Sequence, residues 1–322
     1  MNSFIKKFIL ISVLLSSTCF LLTDFSTITK SKSLSDNVNI YSQNKFLVEH
    51  EAIIILSDDD LIFYNFPGNG TNEDPYIIEN YNITTTYNKA ITVSTTTLSI
   101  IIRNCYLSGH SYGIYISNVK DDTVEIMNNT CNNNLVNGIN IHYTSRTVVK
   151  NNTCTKNTMG MYFIYGNGAI VSNNNCSGNS DYGLQFVHCD AGLIASNILQ
   201  NNGGYGLYLA KDVDYHVVHH NRFVDNNKEG ESQGYDNGEG NIWYDVLSSE
   251  GNYWSDWSGV NYYNIDGSAG KTDKYPLDED GFSQIVTTET STTSEVTIYF
   301  MLDSIIIILV VLRRMIRNQS YF

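Results

Sequence analysis

Between about Tyr81 and Phe223 this chain repeats itself, and that restricts its fold more than anything else in it. A small residue followed by apolar–x–apolar recurs as Ala90-Ile91-Thr92-Val93, Gly113-Ile114-Tyr115-Ile116, Gly138-Ile139-Asn140-Ile141, Gly160-Met161-Tyr162-Phe163, Gly183-Leu184-Gln185-Phe186 and Gly206-Leu207-Tyr208-Leu209. The lead residues are 23, 25, 22, 23 and 23 positions apart. A second column keeps step: Tyr81, Cys105, Asn129, Asn152, Asn174, Asn197 and Asn221, at intervals of 24, 24, 23, 22, 23 and 24. Two columns sharing a period of 22–25 residues mark an array in which each unit stacks on the next.

Each unit holds two short apolar–x–apolar pieces between Gly- and Asn-rich turns. Alternation at period two is a strand signal, and no segment carries an amphipathic helical period. A leucine-rich repeat has a similar length, but its L-x-x-L-x-L frame and helical back are missing. The expected fold is therefore all-β, a parallel β-helix of about seven to nine coils. Two columns should point inward. Ile78, Ile102, Ile126, Val149, Val171, Ile194 and Val218 form one; Ile83, Leu107, Cys131, Cys154, Cys176, Leu199 and Phe223 form the other. Neighbouring strands lie ~4.8 Å apart, so like stacks on like and the core becomes a set of apolar ladders. The Asn column reads as an amide ladder at one corner, built on a residue that tolerates left-handed turns.

The formal net charge is -14, and five positive charges (Lys6, Lys7, Arg313, Arg314, Arg317) lie in terminal segments. So acidic a body disfavours nucleic acid, which calls for a basic stripe. Residues 1–22 read as a signal peptide, with Lys6 and Lys7 before an apolar run. Residues 23–59 are a leader and N-terminal cap, with a strand-like run at Ala52–Leu56 followed by Leu61-Ile62-Phe63. The β-helix spans 60–285 and 286–295 is a Ser/Thr-rich linker. Residues 296–312 read as a transmembrane helix, short and carrying Asp303, and 313–322 as a basic cytoplasmic tail. Cys131, Cys154 and Cys176 share an inward column as stacked thiols, while Cys105 and Cys189 are expected nearer the surface. Sequons stand at Asn69, Asn82, Asn128, Asn151 and Asn175.

Two flanking motifs add a resemblance. Gly68-Asn69-Gly70-Thr71-Asn72-Glu73-Asp74-Pro75-Tyr76-Ile77-Ile78 opens the array. Asn241-Ile242-Trp243-Tyr244-Asp245 and Gly251-Asn252-Tyr253-Trp254-Ser255-Asp256-Trp257-Ser258-Gly259 close it, followed by Ile265-Asp266-Gly267 and Tyr275-Pro276-Leu277-Asp278. Together with the repeats, over roughly residues 60–280, they resemble the NosD-like β-helix family, often found in archaeal surface proteins. The resemblance implies a right-handed parallel β-helix in an extracytoplasmic location. It also implies kinship with carbohydrate-binding, sugar-hydrolysing and pectate-lyase-like modules, and with an accessory protein for copper-site assembly. The exit-motif Trp and Tyr are expected to plug the last coil with their polar tips outward.

Four chemistries are open. The outward column Thr92, Tyr115, Asn140, Tyr162, Gln185 and Tyr208 offers aromatic faces and amides one coil apart, suited to a polysaccharide or surface glycan. Its bland alternative is ordinary strand surface. Catalysis on sugars needs clustered carboxylates, and Glu125, Asp190, Asp212 and Asp214 are scattered, with Lys211 beside the last two. For copper the residues are His216, His219 and His220, with His188. Adjacent strand residues point to opposite faces, so His219 and His220 make a poor joint site and copper is disfavoured. Asp236, Asn237 and Glu239, or Asp266 and Asp273, offer oxygen ligands for a structural Ca²⁺ without the EF-hand frame. The reading is a surface β-helix with a carbohydrate-binding or envelope-structural role and no evident catalytic constellation. Its rivals are a polysaccharide lyase, hydrolase or epimerase, and a NosD-like copper accessory protein.

Overall fold

The structure is a computed structural model and describes residues 46–84 and 87–283. The expected signal peptide, the leader up to Lys45, the Ser/Thr-rich linker, the apolar segment 296–312 and the basic tail lie outside the described residues. No helix among the described residues is long and apolar enough to cross a membrane.

The repeat winds into a right-handed parallel β-helix with three faces. The first face has eight strands: Ile53–Ile55, Lys89–Ser94, Tyr112–Ser117, Asn137–His142, Met159–Ile164, Leu184–Val187, Leu207–Leu209 and Gly234–Asp236. The second has seven, from Tyr76–Glu79 to Val217–His219. The third runs through five strands, from Val48–Glu49 to Thr153–Thr155. It resumes with Ile198–Gln200, Arg222–Val224 and Tyr253–Trp254, and single bridges through Asn175 join its two runs. Every residue of both predicted inward columns is fully buried.

The small lead residue has a steric cause. A Cβ on Gly113, Gly138, Gly160 or Gly183 would stand 2.5–2.8 Å from the carbonyl oxygen of the next coil's glycine. The coils close so tightly at this corner that a side chain has no room.

The Asn column is a ladder, with one correction. The residues in left-handed conformation are those just before it, such as Asn128, Asn151, Asn173 and Ser196. The ladder asparagines are buried, and each uses its whole amide. Asn152 Oδ1 accepts from Asn129 N (2.9 Å) and Asn129 Nδ2 (3.0 Å), while Asn152 Nδ2 donates to Asn174 Oδ1 (3.0 Å) and Ile126 O (2.9 Å). A second ladder, Asn134, Asn157, Asn179, Asn202 and Asn226, repeats the pattern at another corner.

Both ladders donate toward the C-terminus and end on acidic side chains. Asn252 donates twice to Asp273 Oδ2. Asn226 donates to Gln233, which donates to Asp256 Oδ1 at 2.7 Å. Trp243 and Trp254 do plug the last coil, with Phe223, Trp254 and Tyr263 stacked 4.1 and 4.0 Å apart. Their polar tips turn inward, not outward: Trp243 Nε1 donates to Asp236 (2.8 Å) and Trp254 Nε1 to Asp273 (2.9 Å). Both aspartates are fully buried, and a buried carboxylate needs such donors.

At the other end the strand-like run Ala52–Leu56 holds the strand Ile53–Ile55, and Asp58–Tyr64 after it forms helix α1, which the sequence reading did not anticipate. Ser57 caps it by accepting from Asp60 N, and Asn65 closes it in the left-handed region. Leu61 is its buried contact with the first coil. Five cysteines are free and buried. Cys131 registers on Cys154 as expected. Cys105 and Cys189 are not near the surface, and burial pushes their thiols up to about 12 and about 11.

Candidate functional site

The outward column of the first face is in register: Thr92 on Tyr115, Asn140, Tyr162, Gln185, Tyr208 and finally Tyr235. Tyr115, Asn140, Tyr162 and Gln185 line one groove of about 460 Å³. Tyr208 does not join it. Its ring stacks on Tyr235 at 4.5 Å and Tyr182 at 4.9 Å, with Tyr205 alongside.

Two neighbouring columns complete the groove. Three residues before the first column lies Lys89–Tyr112–Asn137–Met159, and two residues after Asn140 lies His142. Asn140, Tyr162 and His142 alternate with buried Ile139, Ile141, Met161 and Phe163. Lys89, Tyr112, Asn137 and Met159 instead stand two residues before a buried position. They reach the groove because the pairing register is interrupted at the small residue that follows each (Ala90, Gly113, Gly138, Gly160). The His142 ring sits 5.3 Å from Tyr115 and 6.0 Å from Tyr162. Lys89 Nζ lies 3.4 Å above the Tyr115 ring centre, a cation–π contact. Burial, then the Lys89 charge, lower the His142 pKa, and burial raises that of Tyr162.

Three polar atoms here have no hydrogen-bond partner: Asn137 Oδ1, Asn140 Oδ1 and His142 Nε2. The ladder asparagines are fully spent, and although Asn82 Oδ1 and Asn132 Oδ1 also stand unpaired on other strands, only here do three such atoms share one groove. A buried polar atom left unpaired costs about 1–3 kcal/mol and calls for a reason, often a ligand or ordered water. The groove thus offers two amide acceptors, an imidazole, tyrosine faces and one ammonium. Sequence reasoning missed Lys89, Tyr112, Asn137 and His142, although their offsets of minus three and plus two from the marked column were available.

The histidines set aside for copper are distributed differently from the expectation. His216 is buried against Phe186, with Nδ1 3.3 Å from Asp214 O, and burial pushes it down to about 4. His219 and His220 do not diverge. His220 takes φ 55 at a corner, which swings the two Nδ1 atoms to 3.1 Å, and His220 Nε2 meets Glu250 at 3.1 Å. The exposed ring of His188 stacks on Tyr165. Among the described residues no three His, Cys, Asp or Glu side chains converge as a metal site.

The acidic candidates turn out to brace corners. Asp190 Oδ1 accepts from Asp214 N (3.1 Å) and Asp214 Oδ1 from Glu239 N (2.7 Å). They therefore stack one coil apart rather than lying scattered. Asp212 is 3.9 Å from His188, and Glu125 holds Lys150 at 2.5 Å. Asp236 and Asp273 serve the indoles and ladder amides, Asp266 accepts from Tyr205, and Asn237 Oδ1 holds Ser268.

These features define a class: a parallel β-solenoid with an aromatic C-terminal plug and a polar, tyrosine-walled groove on one face. The chain belongs to the NosD family, whose model, described as periplasmic copper-binding protein (NosD), matches residues 36–259. Among solved structures it is similar to the A-module of mannuronan C-5 epimerase AlgE4 of Azotobacter vinelandii, at 14% identity and TM-score 0.33, covering 62% of this chain and 68% of that one. It is similar also to the AlgE6 A-module of the same organism, at 13% identity and TM-score 0.30, covering 71% and 81%. No curated protein matches the chain.

Proposed function

We propose that this protein is an extracytoplasmic β-helix that binds carbohydrate in the groove of its first face. One observation carries the reading: Asn137 Oδ1, Asn140 Oδ1 and His142 Nε2 stand unpaired between tyrosine rings. Sugar hydroxyls supply donors to such atoms, and the C–H faces of a sugar ring stack on aromatic side chains. A concave site with a few convergent polar groups is the usual form of a small-ligand pocket. The periplasmic description of the family supports the location. Tethering by residues 296–312 belongs to the same proposal and rests on their apolar sequence.

The test is affinity for a panel of neutral and acidic oligosaccharides. Tyr115→Ala and Tyr162→Ala should each weaken binding about tenfold or more, equivalent to about 1.4 kcal/mol, with unchanged thermal melting. Binding that survives both substitutions would rule the groove out.

A processing activity is the second reading, and His142 favours it. Burial keeps this imidazole inclined to the neutral form, and its Nε2 is unengaged in the same groove as Lys89 and Tyr162. A neutral imidazole is a competent proton acceptor. No carboxylate lines the groove, so the two-carboxylate hydrolysis scheme has no pair there. Release of unsaturated uronides, abolished by His142→Ala, would establish this activity. Intact polysaccharide after long incubation would count against it.

A further inference from the structure

Lys89 is the one fixed charge on the groove wall. In a chain with 33 acidic and 19 basic residues, a groove free of carboxylates that holds a lone ammonium is a local inversion of charge. The arginines among the described residues find acids, as does Lys150. Arg103 meets Glu79 at 2.7 Å, Arg146 meets Asp122 at 2.5 Å, and Arg222 meets Glu279 at 2.8 Å. Lys89, half-buried, has only ring faces: Tyr115 at 3.4 Å and Tyr112 at 5.9 Å. Taking an ammonium partly out of water costs free energy unless an opposite charge or hydrogen bonds repay it. The tyrosine faces repay about 0.5–2 kcal/mol and leave the three N–H donors of the ammonium without an acceptor of opposite charge.

What the groove lacks is an anion beside Lys89. We propose that the groove selects saccharides bearing an anionic group, carboxylate or sulfate, on the ring that lodges next to Lys89. This rests on the carbohydrate reading above and narrows it. The unpaired oxygens of Asn137 and Asn140 then take hydroxyl donors from the same or the adjoining sugar, one coil along the face. With no aspartate or glutamate in the wall, an anionic ring meets no like charge on entry.

The experiment titrates the full chain with oligogalacturonates, their carboxyl-reduced neutral counterparts, and sulfated galactose oligomers of the same length. Measurements at low and high salt separate charge from shape. At low salt, one acidic form should bind at least tenfold tighter than its neutral counterpart. Lys89→Met should cut that ratio to threefold or less and leave the melting temperature unchanged. Preference for the uronate or for the sulfate identifies the anion. Equal binding of acidic and neutral forms, or a ratio unmoved by Lys89→Met, overturns the inference while the carbohydrate reading stands. No binding of any member of the three series removes both.

Discussion

At the scale of single residues, the same side-chain type does opposite work according to its column. His142 on the outer face leaves a nitrogen open, whereas His216 is sealed in the core and held down to about 4 from an ordinary 6.5. The linkage has a definite sign. The unfolded chain binds this proton near pH 6.5 and the folded chain only near pH 4, so stability rises with pH across that window. His216 alone should cost about 3 kcal/mol of stability between pH 6.5 and pH 4. Asp236 and Asp273, raised by burial, act the other way: their contribution is present at low pH and fades as pH climbs above 3.8. Urea unfolding at a series of pH values should show the loss on acidification, and His216→Phe should flatten the slope between pH 4 and 6.5 whatever it does to absolute stability. An unchanged slope would mean that the imidazole is protonated in the folded state. No sequence pattern announced this difference, because His216, His219 and His220 sit within five residues of one another and only the corner at His220 sorts them.

At the scale of elements, the repeat was readable because its two requirements are steric and local. An inward column must be apolar, and a coil corner must be small. The Gly column illustrates the second: Gly160→Ala would push a Cβ to 2.5 Å from Gly183 O and 2.8 Å from Cys176 Cβ. Backbone cannot yield cheaply there, so the substitution should destabilise by about 1–3 kcal/mol. Ala90→Gly at the head of the same column should cost about 1 kcal/mol or less. Urea midpoints of the two variants decide it, and equal midpoints would remove the close approach as the cause. What stayed hidden was pairing between side chains. The first Asn ladder was visible as a column, but the second (Asn134 to Asn226) blended into an Asn-rich background. The groove was half visible. Tyr115, Asn140, Tyr162 and Gln185 follow from the period, whereas Lys89, Asn137 and His142 join only because strands of this face are long enough to expose three outward positions. The inward turn of the Trp indoles was unreadable for the same reason, since it depends on Asp236 and Asp273, which are respectively 7 residues before Trp243 and 19 after Trp254.

At the scale of the whole molecule, the ladders give the described solenoid a polarity. Every rung donates its amide toward the C-terminal coil, so the last acceptor must be a group with no proton to offer in return. Asp273 fills that place, taking Asn252 N, Asn252 Nδ2, Trp254 Nε1 and Tyr275 N. Asp273→Ala leaves these buried donors without a carboxylate, at about 1–3 kcal/mol for each that water does not reach. In a stacked array each coil touches only its neighbours, so the loss should stay near the end where it is made. Amide hydrogen exchange is the measurement that resolves position. In Asp273→Ala, protection should fall in the coil from Asn221 to Trp254 and fade over one or two coils toward Asn174. The strands Lys89–Ser94 and Ile100–Arg103 should keep wild-type protection. Asp273→Asn should be milder, because its oxygen can still take the ladder while its amide nitrogen faces the Tyr275 N–H. If protection falls equally in every coil, the ladders bind the described array into one cooperative unit. The groove of the first face, some four coils from the cap, would then feel damage done at the far end.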